Sequence, residues 1–410
     1  MTIWCEGLPC SDALLESRLD PPAMTYSGVS MHKADILIVG SGLTGATIAR
    51  LLFDRGFSVL VLERRAHLGG NVHDYRHESG LWVHTYGPHY FRTSSERIWQ
   101  FVNRFAAFRP FAAELKTMVD GRLEDWPVTA EYLERVAGCD WKPEFTGTPT
   151  NFEEAALAQM PRLIYEKFVR DYSEKQWGVP AATLDTGLAG RFDVRQGPDR
   201  RLKSSTYQGL PENGYAAFMT SLLKGIPVQG GVDYLAHRNE FAGHKLLIFT
   251  GPIDEFFGFD LGHLVYRGQR REHIWCEGVQ QKHPVVQVNF PAVDSGSFVR
   301  EIEWKHMMPA AELEKINGTL ITREHPFTPM QTDQFEYPFP DEANRRLCAR
   351  YTERAEAIDG LLVCGRLGEY RYYDMDQAIG RAMALTEKVL LRQLAAGTDS
   401  NSGKLSAFPA

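Results

Sequence analysis

The fold of this 410-residue chain is decided by the stretch Asp35-Ile-Leu-Ile-Val39-Gly40-Ser-Gly42-Leu-Thr-Gly45. Its short apolar run leads directly into glycines at the spacing G-x-G-x-x-G, which is typical of a buried parallel strand followed by a turn. Residues 46–53 then have helical character, and a second apolar strand, 58–62, ends on Glu63. This order predicts a Rossmann-like βαβ unit and places the chain in the α/β class.

Each glycine of the motif has a physical reason. Gly40 permits the tight turn, Gly42 lets a pyrophosphate approach the backbone, and Gly45 lets helix and strand pack closely. The helix N-terminus offers free N–H groups to phosphates, and Glu63 stands where a carboxylate takes ribose hydroxyls. Glycines also occur in ordinary turns. Here, however, the glycines lie between a strand and a helix, and a second strand and an acidic residue follow. This order favours a dinucleotide site.

The residues after Glu63 favour FAD over NAD. Arg64 and Arg65 follow, and then Gly69, Gly70 and Asn71. A second glycine pair lets the chain pass close to a bound cofactor. In flavoproteins of the glutathione-reductase type the run E-x-R-x-x-x-G-G accompanies FAD, whereas the plain alternative is a surface turn.

Charge and composition exclude several classes of protein. The net charge is −7 and the pI about 6.0, so the chain offers no basic field for a nucleic acid. The six cysteines lack the close spacing of metal or redox motifs and fit a reducing cytoplasm, where we expect the protein. No apolar run approaches the length of a membrane span, and residues 1–32 are expected to form a disordered leader rather than a signal peptide.

A family resemblance appears in the segment after the glycine pair. Gly69-Gly70-Asn71 and then His84-Thr-Tyr-Gly-Pro-His89-Tyr-Phe91 resemble the G-G-N and G-P-H-x-F-H-T runs of UDP-galactopyranose mutases. Further matches follow in the same order, and the resemblance extends from about residue 34 to 393. The matching segments are Glu174–Gly178, Thr206–Pro211, Thr250–Asp254 and Gly365–Met375.

The resemblance implies a discontinuous FAD-binding domain, a helical insertion and an antiparallel β-sheet domain. We expect the FAD-binding domain at 33–93, 206–262 and 340–394, and the helical insertion at 94–190, with a mobile lid reaching about residue 205. The substrate-binding sheet is expected at 263–339, and 395–410 form a tail. Helix-like periodicity in 152–172 and alternation in 285–290 are compatible with this plan.

Family members interconvert the pyranose and furanose forms of a nucleotide-linked galactose without net oxidation or reduction. The resemblance implies that FAD must be reduced, because its N5 acts as the nucleophile on the sugar. It also implies a nucleotide-sugar substrate and an external reductant such as NAD(P)H, and it is compatible with a homodimer.

The resemblance also assigns site residues. Arg191 and Arg300 match the arginines that hold the diphosphate, whose developing charge calls for prepositioned cations. Arg366 matches an arginine beside the reduced flavin, and His89 a histidine packed against it; these four are the expected catalytic residues. Expected substrate contacts are Tyr172, Trp177, Asn289, Tyr337 and Tyr372, and expected late cofactor contacts are Gly365, Arg366, Asp374 and Met375. No metal ligand is expected.

The sequence departs from the family near the sugar and the nucleotide. Arg92 replaces the second histidine of G-P-H-x-F-H-T, the aromatic lid run is replaced by 195–203 with several basic residues, and Gly368 replaces an alanine. The leading substrate is UDP-galactopyranose, and the same chemistry on a GDP- or dTDP-linked sugar is an alternative. The sequence is also compatible with an FAD-dependent oxidoreductase of the amine oxidase type and with a flavin-binding protein that has no catalytic activity.

Overall fold

The computed structural model describes residues 34–192, 194–195, 197 and 199–398, with the backbone alone at Arg191 and at 391–398. The expected leader 1–32 lies outside the described residues, as does the expected tail beyond 398. In the part of the chain that the structure describes, no helix combines the length and hydrophobicity that crossing a bilayer requires.

The chain alternates strands and helices, as the α/β prediction requires. In chain order the strands are β1 (Ile36–Val39), β2 (Val59–Glu63), β3 (Asp74–Arg76), β4 (Trp82–His84), β5 (Phe91–Thr93), β6 (Phe108–Pro110), β7 (Leu115–Val119), β8 (Arg122–Trp126), β9 (Val128–Thr129), β10 (Val194–Arg195), β11 (Tyr207–Pro211), β12 (Val228–Gly230), β13 (Leu246–Phe249), β14 (Tyr266–Glu277), β15 (Gln287–Asn289), β16 (Arg300–Glu303), β17 (Gly318–Phe327), β18 (Tyr337–Pro338) and β19 (Leu361–Val363).

The helices fall mainly in three stretches, around the first sheet, in 130–191 and near the C-terminus. In chain order the α-helices are α1 (Leu43–Phe53), α2 (Glu96–Asn103), α3 (Ala130–Ala137), α4 (Phe152–Leu157), α5 (Arg162–Ile164), α6 (Asp171–Trp177), α7 (Gly214–Leu222), α8 (Ile253–Phe256), α9 (Ala310–Leu313), α10 (Glu342–Glu356), α11 (Gly365–Gly368) and α12 (Met375–Thr398).

The first sheet is parallel and has the order β12-β2-β1-β13-β19. Leu37 of β1 lies between Leu60 and Leu247, and all three are buried, because helices cover both faces of such a sheet. The strands predicted at 35–39 and 58–62 are confirmed to within one residue at each end, and the apolar run before Gly365 forms β19. Helices α1 and α12 pack against each other, and their first residues, Leu43 and Met375, lie near the carboxyl ends of these strands.

The largest sheet has the order β18-β14-β17-β16-β15-β7-β8, and all its neighbours are antiparallel except β15 and β7. Strands β7 and β8 come from residues 115–126, inside the segment expected as a helical insertion. Leu115 pairs with Gln287, so β7 and β8 extend the sheet of 263–339 before the helices of 130–191 begin.

The helices of 130–191 enclose their own hydrophobic core around Phe152, Tyr165 and Phe168. The periodicity of 152–172 predicts one helix, but the structure has α4, a break before Pro161, α5, a π-helical turn over Tyr165–Arg170, and α6. Proline cannot continue a helix from the preceding turn, which explains the break.

Candidate active site

A cavity at the carboxyl edge of the parallel sheet has the features of a dinucleotide site. Gly40 has φ +104°, and a β-carbon there would lie 2.0 Å from Thr250 Oγ1. A β-carbon on Gly45 would lie 2.1 Å from the Gly40 carbonyl oxygen, so α1 packs tightly on its strand. A β-carbon on Gly42 would meet nothing within 4 Å, since this residue faces the open cavity. The three glycines therefore fit a pyrophosphate lying at the start of α1.

Glu63 ends β2 at the wall of this cavity and is buried. Its Oε2 accepts hydrogen bonds from Ser41 N at 2.9 Å and Ser41 Oγ at 2.6 Å, and its Oε1 accepts one from Arg65 N at 2.9 Å. The carboxylate is thereby fixed in place, with lone pairs left for ligand hydroxyls. The ribose contact predicted for Glu63 remains a prediction.

The other cofactor residues predicted from the sequence surround the same cavity. Arg64 lies on its wall with its guanidinium held by Glu255 at 2.8 Å. Gly70, at φ +56°, passes so close to Gly42 that its β-carbon would lie 3.1 Å from the Gly42 Cα. Asn71, Gly365, Arg366 and Met375 line the cavity as well, while Asp374 lines the neighbouring cavity described next.

A second cavity opens beside the first, and four residues border both: Asn71, His89, Arg366 and Met375. The second cavity is also lined by Arg300, Tyr337 and Tyr372, and it has an aromatic end at the hydrophobic core of the helical segment. The aromatic end consists of Trp126, Phe152, Phe168, Tyr172 and Trp177. A ligand in the second cavity would thus touch the cofactor at one end and aromatic side chains at the other.

A buried ion cluster lies beneath the second cavity. Glu324 is fully buried and accepts hydrogen bonds from Arg271 Nε at 3.2 Å and from Arg300 Nε. Arg271 also makes a bidentate pair with Glu336 at 2.9 and 2.8 Å. Burial alone would raise the pKa of Glu324, but the charges of Arg300 and Arg271 outweigh it and lower the pKa. Glu324 is therefore ionised and holds Arg300 at the cavity wall.

His89 is neutral in this site. Burial, together with the charges of Arg366, Arg271 and Arg300, lowers its pKa to about 3. Its Nδ1 lies 2.7 Å from the Gly87 carbonyl oxygen, which can only accept, so Nδ1 carries the proton. The remaining nitrogen, Nε2, is then a hydrogen-bond acceptor at the junction of the two cavities.

Arg366 is held by carbonyl oxygens rather than by an acid. Its Nη2 donates to Tyr373 O at 2.8 Å and its Nη1 to Glu336 O at 3.2 Å. The guanidinium stacks over Tyr372 at 4.8 Å, and the rings of Tyr372 and Tyr337 stack with centroids 6.0 Å apart. No ion pair of Arg366 occurs among the described residues, so its positive charge is available to a ligand.

Helix α6 brings Tyr172 and Trp177 to the aromatic end. Lys175 Nζ donates to Phe290 O at 2.8 Å and to Ala292 O at 3.1 Å, which ties the helix to the loop after β15. Arg267 Nε donates to Gln176 O at 2.9 Å and thereby caps the C-terminus of the helix. Trp177 is buried with its ring edge-to-face against Phe339.

Of two further predicted site residues, the structure describes the side chain of Asn289 but not that of Arg191. Asn289 is buried on the cavity wall, and its Oδ1 accepts a hydrogen bond from Gln287 Nε2 at 2.9 Å. Arg191 ends a 3-10 turn, Thr186–Arg191, but its side chain lies outside the described residues. Its predicted contact with the diphosphate therefore stays a prediction.

Sequence reasoning missed Arg271, Glu324 and Glu336. One signal was present: β14 carries a polar residue at every second position, Arg267, Gln269, Arg271 and His273, where a buried strand face is usually apolar.

Comparison with known proteins adds an independent line of support. The sequence pattern of the UDP-galactopyranose mutase family matches residues 167–372, and that of NAD(P)-binding Rossmann-like domains matches 38–105. A probable UDP-galactopyranose mutase of Klebsiella pneumoniae is 29% identical over 375 residues, which cover 88% of this chain and 96% of that protein. A dTDP-fucopyranose mutase of Escherichia coli is 29% identical over 369 residues, which cover 85% and 96%.

A solved structure of reduced UDP-galactopyranose mutase superposes with a TM-score of 0.67 at 17% identity, over 88% of this chain and 94% of that one. Fold and site together define a Rossmann-type protein whose dinucleotide site opens into a cationic and aromatic pocket. The chain belongs to the UDP-galactopyranose mutase family. It is accordingly a mutase, and its family implies a flavin cofactor.

Proposed function

We propose that the protein interconverts the pyranose and furanose forms of a nucleotide-linked hexose, with UDP-galactopyranose as the leading substrate and reduced FAD as the cofactor. The observation that carries this proposal is the junction of the two cavities at His89, Arg366 and Met375. There the end of a dinucleotide cofactor and a sugar in the second cavity come into contact. The relatives named as UDP-galactopyranose and dTDP-fucopyranose mutases support the same chemistry.

The first cavity fits FAD. Gly42 leaves open space where a side chain would stand, Glu63 presents a fixed carboxylate, and α1 and α12 begin at the same edge. Helix N-termini attract phosphate groups through their free N–H groups. When bound in its reduced form, FAD supplies a nucleophilic nitrogen that carries the sugar while its bond to the diphosphate is broken and remade.

Arg366, at the junction, is proposed to lie beside the flavin and the sugar, and Arg300 is proposed to bind the diphosphate. Its negative charge grows as the sugar bond breaks, so cations fixed in advance lower the barrier. Glu324 orients Arg300 without competing for all of its five donors, and Arg366 keeps its charge free of any described acid. The hydroxyls of Tyr337 and Tyr372 add neutral donors beside them, and Arg191 is proposed to act with Arg300.

His89 contributes an acceptor and no charge. A protonated His89 would place a second positive charge at the junction beside Arg366, and the lowered pKa of His89 prevents that. Because Nδ1–H donates to Gly87 O, the lone pair of Nε2 can accept a hydrogen bond from an N–H or O–H group of the cofactor or the sugar.

The aromatic end is proposed to bind the nucleotide base, with Tyr172 and Trp177 excluding water from the sugar. Base stacking on aromatic rings tolerates different bases, so a GDP- or dTDP-linked sugar is the alternative substrate. The basic residues Arg200 and Arg201 of the 195–203 stretch are less suited to binding the phosphates. Arg200 pairs with Asp125 and Arg201 makes a bidentate pair with Asp199, so both guanidinium groups already have acidic partners.

The experiment is to incubate UDP-galactose, dTDP-fucose and a GDP-hexose with the FAD-loaded protein and to separate the products by chromatography. Conversion is expected only after reduction by dithionite or NAD(P)H, with no reductant consumed per product. Equal conversion by oxidised protein, or one reductant consumed per product, would contradict the mutase mechanism. The second result would favour an FAD-dependent oxidoreductase. Light scattering on the same samples tests the homodimer.

A further inference from the structure

Arg92 lies on β5 and reaches the wall of the second cavity. Its backbone pairs with Gln208 of β11, and its side chain is 19% exposed. The Nη2 atom donates to Asp374 Oδ2 at 3.0 Å. Asp374 directly precedes Met375, one of the four residues at the junction of the cavities. The guanidinium therefore lies at the junction end, away from the aromatic end.

The proposed function, on which this inference rests, assigns the two ends of the cavity. The sugar must meet the cofactor at the junction, the base stacks at the aromatic end, and the diphosphate lies between them. Arg92 consequently lies beside the sugar, as Arg366 does, while Arg300 is assigned to the diphosphate.

The side chain of Arg92 has more hydrogen-bond donors than hydrogen-bond partners. A guanidinium carries five N–H donors, and the bond to Asp374 is the one that Arg92 makes among the described residues. A partly buried donor without a partner loses hydration, so a ligand group that accepts from it is favoured.

The charge balance indicates which ligand group fits. Asp374 already compensates the charge of Arg92, so the pair offers both donors and an acceptor. A neutral hydroxyl, which donates and accepts, complements such a pair better than an anion or a methyl group. We propose that Arg92 donates a hydrogen bond to a hydroxyl of the bound hexose and thereby selects sugars that keep this hydroxyl over their deoxy analogues.

The test measures coupling between Arg92 and individual hydroxyls. UDP-galactose and its 2-, 3-, 4- and 6-deoxy analogues are titrated calorimetrically into the FAD-loaded wild-type protein and into Arg92→Met. In the wild type one analogue is expected to bind roughly ten- to a hundredfold more weakly than UDP-galactose, the range for a hydrogen bond to a charged group. In Arg92→Met the same analogue should bind less than about threefold more weakly than UDP-galactose, because the partner of that hydroxyl is gone.

Arg97→Met is the matched control. Arg97 makes one bond to a carboxylate, Glu387, but its side chain is 64% exposed and lies on α2 away from both cavities. It should preserve the wild-type discrimination, and Arg92→Lys should restore part of it. The flavin absorption spectrum of Arg92→Met must match the wild type, since Asp374 lies beside the cofactor.

If every analogue loses the same affinity relative to UDP-galactose in the wild type as in Arg92→Met, this inference is overturned. Reduced aliquots of the same samples are tested for conversion of UDP-galactose. Conversion without coupling refutes the role of Arg92 alone, and coupling without conversion refutes the proposed function alone. Failure of UDP-galactose to bind at all refutes both this inference and the choice of UDP-galactose as the leading substrate.

Discussion

Gly87 lies directly over the carboxylate of Glu324, so closely that a β-carbon on Gly87 would stand 2.4 Å from Glu324 Oε1. The Gly87 backbone has φ +86°, a conformation that favours glycine. The carboxylate cannot move aside, because Arg271 and Arg300 hold it from two directions. Gly87 also accepts from His89, so one residue joins the ion cluster to the cavity junction.

Gly87→Ala is therefore expected to displace Glu324 and with it Arg300. Turnover should fall by about tenfold or more, because a small misplacement of a positioning group has a large effect on rate. The melting temperature should fall as well. Both are measured on the FAD-loaded protein, by chromatographic assay and by thermal unfolding.

Gly56→Ala is the matched control, because Gly56 also has a positive φ, +83°, but a β-carbon there would meet nothing within 4 Å. Gly56→Ala introduces the same kind of backbone strain as Gly87→Ala, but its new methyl group clashes with no other residue. If the two variants lose activity equally, the contact between Gly87 and Glu324 does not position Arg300.

The elements that sequence predicts well are those with local causes. The apolar runs around 35–39 and 361–364 end in glycines and became strands of the parallel sheet. The pairing of β7 with β15 was not predicted, since Leu115 and Gln287 are far apart in the chain and periodicity carries no information on distant partners. The break at Pro161 has a local cause and was detectable.

The same distinction applies to the site. Gly40, Gly42 and Glu63 follow from spacing alone, because one short βαβ unit brings them together. The cluster of Arg271 and Glu324 depends on the register of β14 with β17, which the sequence does not reveal. Arg300 was found only through the family resemblance.

Gly42→Ala is expected to abolish FAD binding while leaving the fold intact. The β-carbon would meet no protein atom within 4 Å, but it would occupy the space proposed for the pyrophosphate. The purified variant should be colourless, with an unchanged far-UV circular dichroism spectrum. Gly45→Ala serves as the contrast, since its β-carbon would clash with the Gly40 carbonyl and impair folding itself. Full retention of FAD by Gly42→Ala would show that the pyrophosphate lies elsewhere.

Arg300→Ala is expected to lower turnover by roughly two to three orders of magnitude, the usual effect of removing one preorganised donor from a developing anion. FAD should stay bound, because Arg271 still compensates Glu324. Arg191→Ala is predicted to act similarly. Turnover and flavin content are measured together on each variant.

Arg323→Ala is the control for Arg300. Arg323 lies on the neighbouring strand β17 and pairs with Glu301, but it lines neither cavity. It should leave turnover within about threefold of the wild type. A similar small change in Arg300→Ala would mean that the diphosphate does not bind there.

The stability of the protein is expected to decrease as the pH falls from about 6.5 to 4. Burial lowers the pKa of His67, His73 and His273 to about 4 and that of His89 to about 3. In this pH range the unfolded chain binds protons that the folded protein excludes, so protonation favours unfolding. The stabilisation is complete above pH 6.5 and is lost towards the folded-state pKa values. Carboxyl groups with raised pKa values oppose the effect: burial raises the pKa of Asp74 to about 6 and also raises those of Asp254 and Asp376.

The measurement is the melting temperature at pH 8, 7, 6 and 5 for the wild type and for His73→Gln. The histidine ring stacks on His67 at 4.0 Å, and its Nδ1 bonds to Thr85 Oγ1 at 2.8 Å, so the variant lowers stability at every pH. The informative quantity is the change in melting temperature between pH 8 and pH 5. This change should be smaller in His73→Gln, because the variant lacks one group that binds a proton in the unfolded chain and not in the folded protein. Identical slopes in the two proteins would show that His73 takes up its proton as readily in the folded protein as in the unfolded chain.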